Sequence, residues 1–214
     1  MYPRLKFVGL AMVVAGLMFI AIGGYAYART QAGAASLEAF SSAQDVRLSY
    51  NDAGQLVDRG DPAQAEMILA LLTDDWGYPV ERSELDPNDP LVNTASEYMY
   101  EMATIAYHTL NSTQKVSVAD HADYQGVHFM PGEYQFAVAG RYWSQFDRQD
   151  PVQGKAREQA WTGTAHALIA ELGVGSVTAS TLQLGLGVAA ITGAIGATLV
   201  LLGLGLVWAV RRPA

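Results

Sequence analysis

The chain has 214 residues, half of them apolar, with no cysteine and a net charge of −8. Without a thiol it forms no disulfide, offers no thiolate nucleophile and holds no cysteine-ligated zinc or iron–sulfur cluster. The acidic residues all lie in the middle of the chain, which excludes a nucleic-acid partner: such a segment repels phosphates instead of releasing their counterions.

Apolar residues gather towards the two ends. Residues 7–28 carry no charge, and neither do residues 172–210. A membrane span needs about 20 mostly apolar residues, because a helix rises about 1.5 Å per residue through a hydrocarbon core about 30 Å thick. The sequence therefore predicts a mainly α membrane protein with two transmembrane helices around a mostly helical extracytoplasmic domain. The expected order is a cytoplasmic N-terminus (1–6), transmembrane helix 1 (7–28), the extracytoplasmic domain (29–183), transmembrane helix 2 (184–210) and a cytoplasmic C-terminus (211–214). At 22 residues the first run is longer than the apolar part of a secretory signal, about 7–15 residues, and reads as a retained signal-anchor.

Arg4 and Lys6 precede the first run, Arg211 and Arg212 follow the second, and no acid stands near either pair. The excess of basic residues on cytoplasmic flanks puts both ends in the cytoplasm. The segment between them holds 9 of the 13 basic and all 21 acidic residues, a net charge of −12, which favours solubility. Ten arginines against three lysines, with abundant alanine and glycine, point to a GC-rich bacterial genome. The expected place is the lipid bilayer of a bacterial cell membrane.

Residues 29–48 lack proline and keep helical spacing, so the first helix is expected to continue outward. Asn51-Asp52-Ala53-Gly54 is a turn. Asp61-Pro62 opens a helix running to Leu72, with Asp61 as its cap, and Trp76-Gly77-Tyr78-Pro79 breaks it. The sequence then echoes itself. Ser83-Glu84-Leu85-Asp86-Pro87-Asn88-Asp89-Pro90 returns 61 residues later as Ser144-Gln145-Phe146-Asp147-Arg148-Gln149-Asp150-Pro151. Each copy predicts a helix start, with Asp89 and Asp150 capping helices over about 90–110 and 151–172. Two readings stand: independent caps, or a duplicated helical unit over 83–111 and 144–172. Between the copies Val116, Val118, Val127, Phe129, Tyr134, Phe136 and Val138 alternate as half-buried strands do. They predict a small β-hairpin turning at residues 130–133.

The Asp147-Arg148-Gln149-Asp150-Pro151 helix start, one apolar span before it and a closing Gly/Ala/Leu-rich span over 185–205 carry a resemblance. Together they resemble a group of actinobacterial two-pass membrane proteins often labelled aromatic ring-opening dioxygenases. The resemblance implies a topology, two spans around one outer domain. It carries over no activity, because nothing in the chain looks like an iron dioxygenase site.

Metal and catalytic motifs are sparse. Neither H-E-x-x-H nor paired E-x-x-H occurs. Glu97, Glu101 and His108 share a helical face, but two turns, about 10.5 Å, separate the last two. That face reads as solvated or salt-bridged. His121, Asp123, His128 and Met130 form a denser cluster, and imidazole with thioether suits copper. The plainer reading is a loop with two surface histidines and a core methionine. There is no G-x-S-x-G, no phosphate-binding glycine loop and no calcium loop, so no enzyme is predicted and no catalytic residue assigned.

The spans are more informative. Gly9, Gly16 and Gly23 recur every seven residues on the first, and Gly196 and Gly203 repeat that spacing on the second, beside Gly193. Small residues let helices approach closely in lipid. These faces are expected to pack on other subunits or on each other. Neither span carries an ionisable residue in its core, so neither builds an ion path by itself. The expected function is a non-catalytic accessory subunit of a larger bacterial membrane complex, of respiratory or membrane-bound oxygenase type. Its partners would be other membrane protein subunits; it would need no cofactor, and its glycine faces would serve assembly. The alternative is an extracytoplasmic copper- or metal-handling protein built on His121, His128 and Met130.

Overall fold

The computed structural model describes residues 2–211; Arg212, one of the residues that set the expected orientation, lies outside them, as do Met1, Pro213 and Ala214. The chain is mainly helical and divides into two compact units, one of residues up to Gln44 together with those from Thr178 onward, the other Asp45–Val177.

In the first unit, helix α1 (Tyr2–Gln44) pairs with the later part of helix α5 (Gly163–Arg211). Both are long and apolar enough to cross a membrane, with mean hydropathy of 2.4 and 2.2 over their most apolar windows. Phe7, Leu17 and Tyr25 on α1, and Leu184, Ile191 and Leu201 on α5, are exposed. A core helix of a water-soluble domain would bury such side chains. What the pair buries instead is mostly small: Gly9, Gly16, Gly23, Ala189, Gly196 and Gly203, with Val207 the one larger side chain among them. Gly9 lies against Gly203, Gly16 against Gly196 and Gly23 against Ala189 and Gly193, so the helices run antiparallel in seven-residue steps.

Helix α1 continues past residue 28, as expected for residues 29–48, and ends at Gln44, while α5 starts at Gly163, well ahead of its expected span. No breaker interrupts residues 29–44 or 163–183, so the backbone ladder continues, and the compact second unit is narrower than the expected 29–183. 

In the second unit the chain first runs extended. Leu48 N–H donates to Pro90 O (2.8 Å) and Val92 N–H to Val46 O (2.9 Å), and Arg47 bridges Leu91. Helix α2 (Pro62–Ala70) starts at its aspartate–proline cap, where Asp61 Oδ1 accepts from Ala63 N–H (2.8 Å). A π-helical turn, Leu71–Asp75, then delivers Trp76.

Helix α3 (Ala95–Leu110) does not start at Pro90. Residues 90–92 are held in the extended pairing just described, and Asp89 caps nothing. The helix begins instead at a capping box: Glu97 Oε2 accepts from Thr94 N–H (2.8 Å), and Thr94 Oγ1 accepts from Glu97 N–H (3.4 Å).

Asp150 does cap. Its Oδ1 accepts from Val152 N–H (2.8 Å) and Gln153 N–H (2.9 Å), leading into helix α4 (Gln153–Ala160). The helix expected over 151–172 is in fact two. Trp161 N–H closes α4 on Arg157 O (2.9 Å), and Thr162 Oγ1 accepts from Ala165 N–H (3.1 Å) at the start of α5. The break shifts the register, and Leu168 is exposed.

The echo is therefore local. Both copies form a 3₁₀ turn, Arg82–Glu84 and Trp143–Gln145, and both then fold an aspartate onto the chain ahead: Asp86 Oδ1 accepts from Asn88 N–H (2.9 Å) and Asp147 Oδ1 from Gln149 N–H (3.0 Å). Beyond Pro90 and Pro151 the two paths part.

Between α3 and α4 the expected hairpin is two nested ladders. Strand β1 (Thr113–Val118) pairs antiparallel with β4 (Gly132–Ala137), and β2 (Ala122–Tyr124) with β3 (Val127–Phe129). The turn is at Gln125-Gly126 instead of residues 130–133, with φ of 51° and 80° at its two central residues, as a tight two-residue hairpin loop requires. Val116 and Val118 point inward with Val138 and join Leu71, Ala106, Leu110, Phe146, Ala156 and Trp161 in the core.

Candidate functional site

The β2–β3 turn sets Asp123 directly across from His128. The Asp123 carboxylate takes the His128 Nδ1–H at 2.5 Å, which leaves His128 Nε2 as an acceptor. His121 Nδ1 lies 3.2 Å from that atom, and the two rings stack with centroids 5.3 Å apart. His121, Asp123 and His128 are all exposed. Met130 is exposed too and not in the core; its recorded bonds are backbone ones, N–H to Tyr134 Oη (3.0 Å) and O from Tyr134 Oη–H (2.9 Å). Of the expected copper ligands, the structure brings the two histidines together. Among the described residues no three His, Cys, Asp or Glu side chains converge as a metal site.

The α3 face, expected to be solvated or salt-bridged, is partly buried, and His108 is paired with Asp58. Glu97 is buried in the capping box, where burial pushes its carboxyl up against the lowering effect of its hydrogen bonds from Asn93 and Thr94. His108 Nε2 sits 3.1 and 3.0 Å from the two oxygens of buried Asp58. Burial, then the charge of Asp58, push Glu101 up to about 7. Burial, then Asp58 and Glu101, push Tyr100 up as well, and its hydroxyl is buried without a partner among the described residues. This cluster pairs one carboxylate with a histidine and holds a second carboxyl near neutrality. Sequence spacing could not supply Asp58, which reaches α3 from 50 residues away.

The third feature is an apolar cleft of about 420 Å³. Trp76, Tyr142, Trp143 and Trp161 wall it, with Met102 and Ala106 from α3, Ile169 and His166 from α5, and Ser144 at an exposed position. Three of the four tryptophans in the chain meet here. Their polar edges are engaged: Trp76 Nε1–H donates to Tyr142 Oη (2.7 Å) and Trp161 Nε1–H to Arg141 O (3.1 Å). Tyr142 stacks on Trp161 at 5.8 Å, and buried Arg157 lies 4.0 Å over the Trp143 ring. Bonded edges and stacked faces fix the walls, so the cleft is preformed. A second hollow of similar volume, lined by Tyr50, Glu66 and Arg82 among others, is more polar.

Most of the expected glycine positions are covered within the chain, while a Cβ on Gly193 would meet nothing within 4 Å. Gly9, Gly16 and Gly23 are covered by α5, and Gly196 and Gly203 by α1; Gly193 backs Gly23. Of the two expectations for these faces, packing on other subunits or on each other, the contacts within the chain are of the second kind.

No protein-family model matches the chain, and no curated protein and no solved structure matches it either. The cleft was missed in the sequence because its aromatic residues come from segments up to 85 positions apart, Trp76 to Trp161. The one local hint is the run Arg141-Tyr142-Trp143, dense in aromatic side chains with no strand or helix period.

Proposed function

We propose that this chain is a two-pass protein of the bacterial cell membrane whose outer unit makes it a non-catalytic accessory subunit of a larger membrane complex. The aromatic cleft carries the reading. Tryptophan-rich, rigid, largely apolar hollows are where protein partners concentrate their binding energy. Asp74 and Asp75, both exposed, immediately precede Trp76, and the acidic excess of the segment extends beyond them. The partner that fits is a membrane-anchored subunit presenting an apolar side chain flanked by basic residues.

Three features support the membrane placement. Antiparallel pairing of α1 and α5 puts both ends of the chain on one side of any bilayer they cross. Basic Arg4 and Lys6 mark that side as cytoplasmic. Exposed Trp208 is level with Arg4 by the Gly9–Gly203 pairing, and exposed Tyr25 lies about 20 residues further along α1. At about 1.5 Å per residue this is about 30 Å, so the two aromatics sit where interfacial belts should.

The test is purification from native membranes in gentle detergent. The wild-type chain should co-migrate with other membrane subunits on native gels. Ser144→Arg, which crowds the cleft from an exposed position, should keep abundance and melting but run alone. A wild-type chain that runs alone at its own mass contradicts the proposal.

A further inference from the structure

We propose that His121 and His128 form a two-histidine site for a divalent transition-metal ion, with copper(II) the tightest. The inference is independent of the cleft. It starts from the Asp123 carboxylate, which takes the Nδ1 proton of His128 and so fixes a bare, exposed Nε2. A carboxylate behind a ligating histidine is the usual support of a metal-bound imidazole, because it sets the tautomer and raises ligand basicity. Two nitrogens at about 2.0–2.1 Å from one ion stand about 2.9 Å apart at a right angle and about 3.4 Å apart at a tetrahedral one. The observed separation of His121 Nδ1 and His128 Nε2, 3.2 Å, falls between these values.

Without an ion, His121 donates its Nδ1 proton to His128. To bind one, His121 moves that proton to its own Nε2 and the two exposed rings rotate, so that the two lone-pair positions, which face each other across the hydrogen bond, converge on the ion; no proton leaves the pair. The β2–β3 ladder, with Asp123 registered on His128, holds the carboxylate in place meanwhile. Imidazole nitrogens suit zinc, nickel and copper, and among divalent ions affinity peaks at copper. Two protein ligands leave positions open to water, so the site is an exchangeable one. The proposed ligand set is the two histidines alone; the Met130 backbone is held by Tyr134 Oη.

The experiment titrates copper(II) sulfate into the full chain in detergent after chelator treatment, read by paramagnetic resonance and calorimetry. One equivalent should bind with hyperfine coupling to two imidazole nitrogens. His121→Ala and His128→Ala should each lower affinity at least tenfold, and Asp123→Ala by about 10- to 100-fold. Met130→Leu and His166→Ala should bind as wild type. Melting curves equal to wild type for the exposed variants confirm that folding is unaffected. Wild-type affinity in His121→Ala or His128→Ala, coupling to fewer than two nitrogens, or a loss with Met130→Leu overturns the assignment.

Discussion

A Cβ on Gly16 would stand 2.6 Å from the carbonyl oxygen of Gly196, and one on Gly196 would stand 2.7 Å from that of Gly16. Both clashes are with backbone, which cannot swing aside. In lipid, leucine gains nothing over glycine from burial, so lost packing is not offset. Gly16→Leu and Gly196→Leu should insert but part the two helices, and immunoblots should show reduced protein in the membrane fraction. Gly24→Leu and Gly205→Leu, with nothing within 4 Å, should accumulate normally. Equal levels for all four would show that the seam does not hold the chain together.

The caps separate two aspartates that look alike in sequence. Thr94→Ala and Asp150→Ala each free backbone N–H groups at a helix start, and each should cost about 1 kcal/mol in denaturation experiments. Asp89→Ala should fall within about 0.5 kcal/mol of wild type, the range for surface changes, because its carboxylate caps no helix.

Glu101 gives the stability of the second unit a pH dependence. Its carboxyl is raised from 4.5 to about 7, so the folded chain keeps a proton that the unfolded chain releases. The resulting stabilisation is complete below about pH 4.5 and is lost as pH rises through about 7. Burial pushes Glu97 in the same direction. Glu101→Gln keeps the neutral shape at every pH. The melting temperature of the variant should therefore rise relative to wild type between about pH 5 and 7.5, then run parallel. A difference of opposite sign, or none, contradicts the half-buried placement of Glu101 beside Asp58.

Topology is open to a direct check because the chain has no cysteine. A thiol introduced at Ala53 should react with a membrane-impermeant maleimide on intact cells, and one at Pro3 only after permeabilisation. The reverse pattern would invert the proposed orientation.

What was legible in the sequence was local or periodic. The two apolar helices follow from uninterrupted hydropathy, the α2 start from Asp61-Pro62, and the inward side of β1 from the alternation of Val116 and Val118. The start of α3 was misplaced although its capping box, Thr94-Ala95-Ser96-Glu97, stands in the sequence. The more conspicuous Asp89-Pro90 drew the boundary there, and pairing with Leu48 and Val46 overrode it. The hairpin turn was drawn to Pro131-Gly132, whereas Gln125-Gly126 makes it, since a glutamine with positive φ leaves little trace in composition. The histidine cluster was visible as a run of residues, but its carboxylate support needed the register of β2 on β3. Asp58 beside His108 and the tryptophan cleft are contacts between distant segments, which one sequence does not record.

The claim that the outer unit docks a partner through its cleft is tested most directly by crosslinking in living cells. A photoreactive amino acid replaces Ser144, which lines the cleft and is exposed, in the full chain at its native expression level. The account predicts one discrete adduct to a second membrane protein, absent when the probe is placed at exposed Gly126, which is in the β2–β3 turn and does not line the cleft. No adduct at Ser144, or the same adducts from both positions, would contradict it.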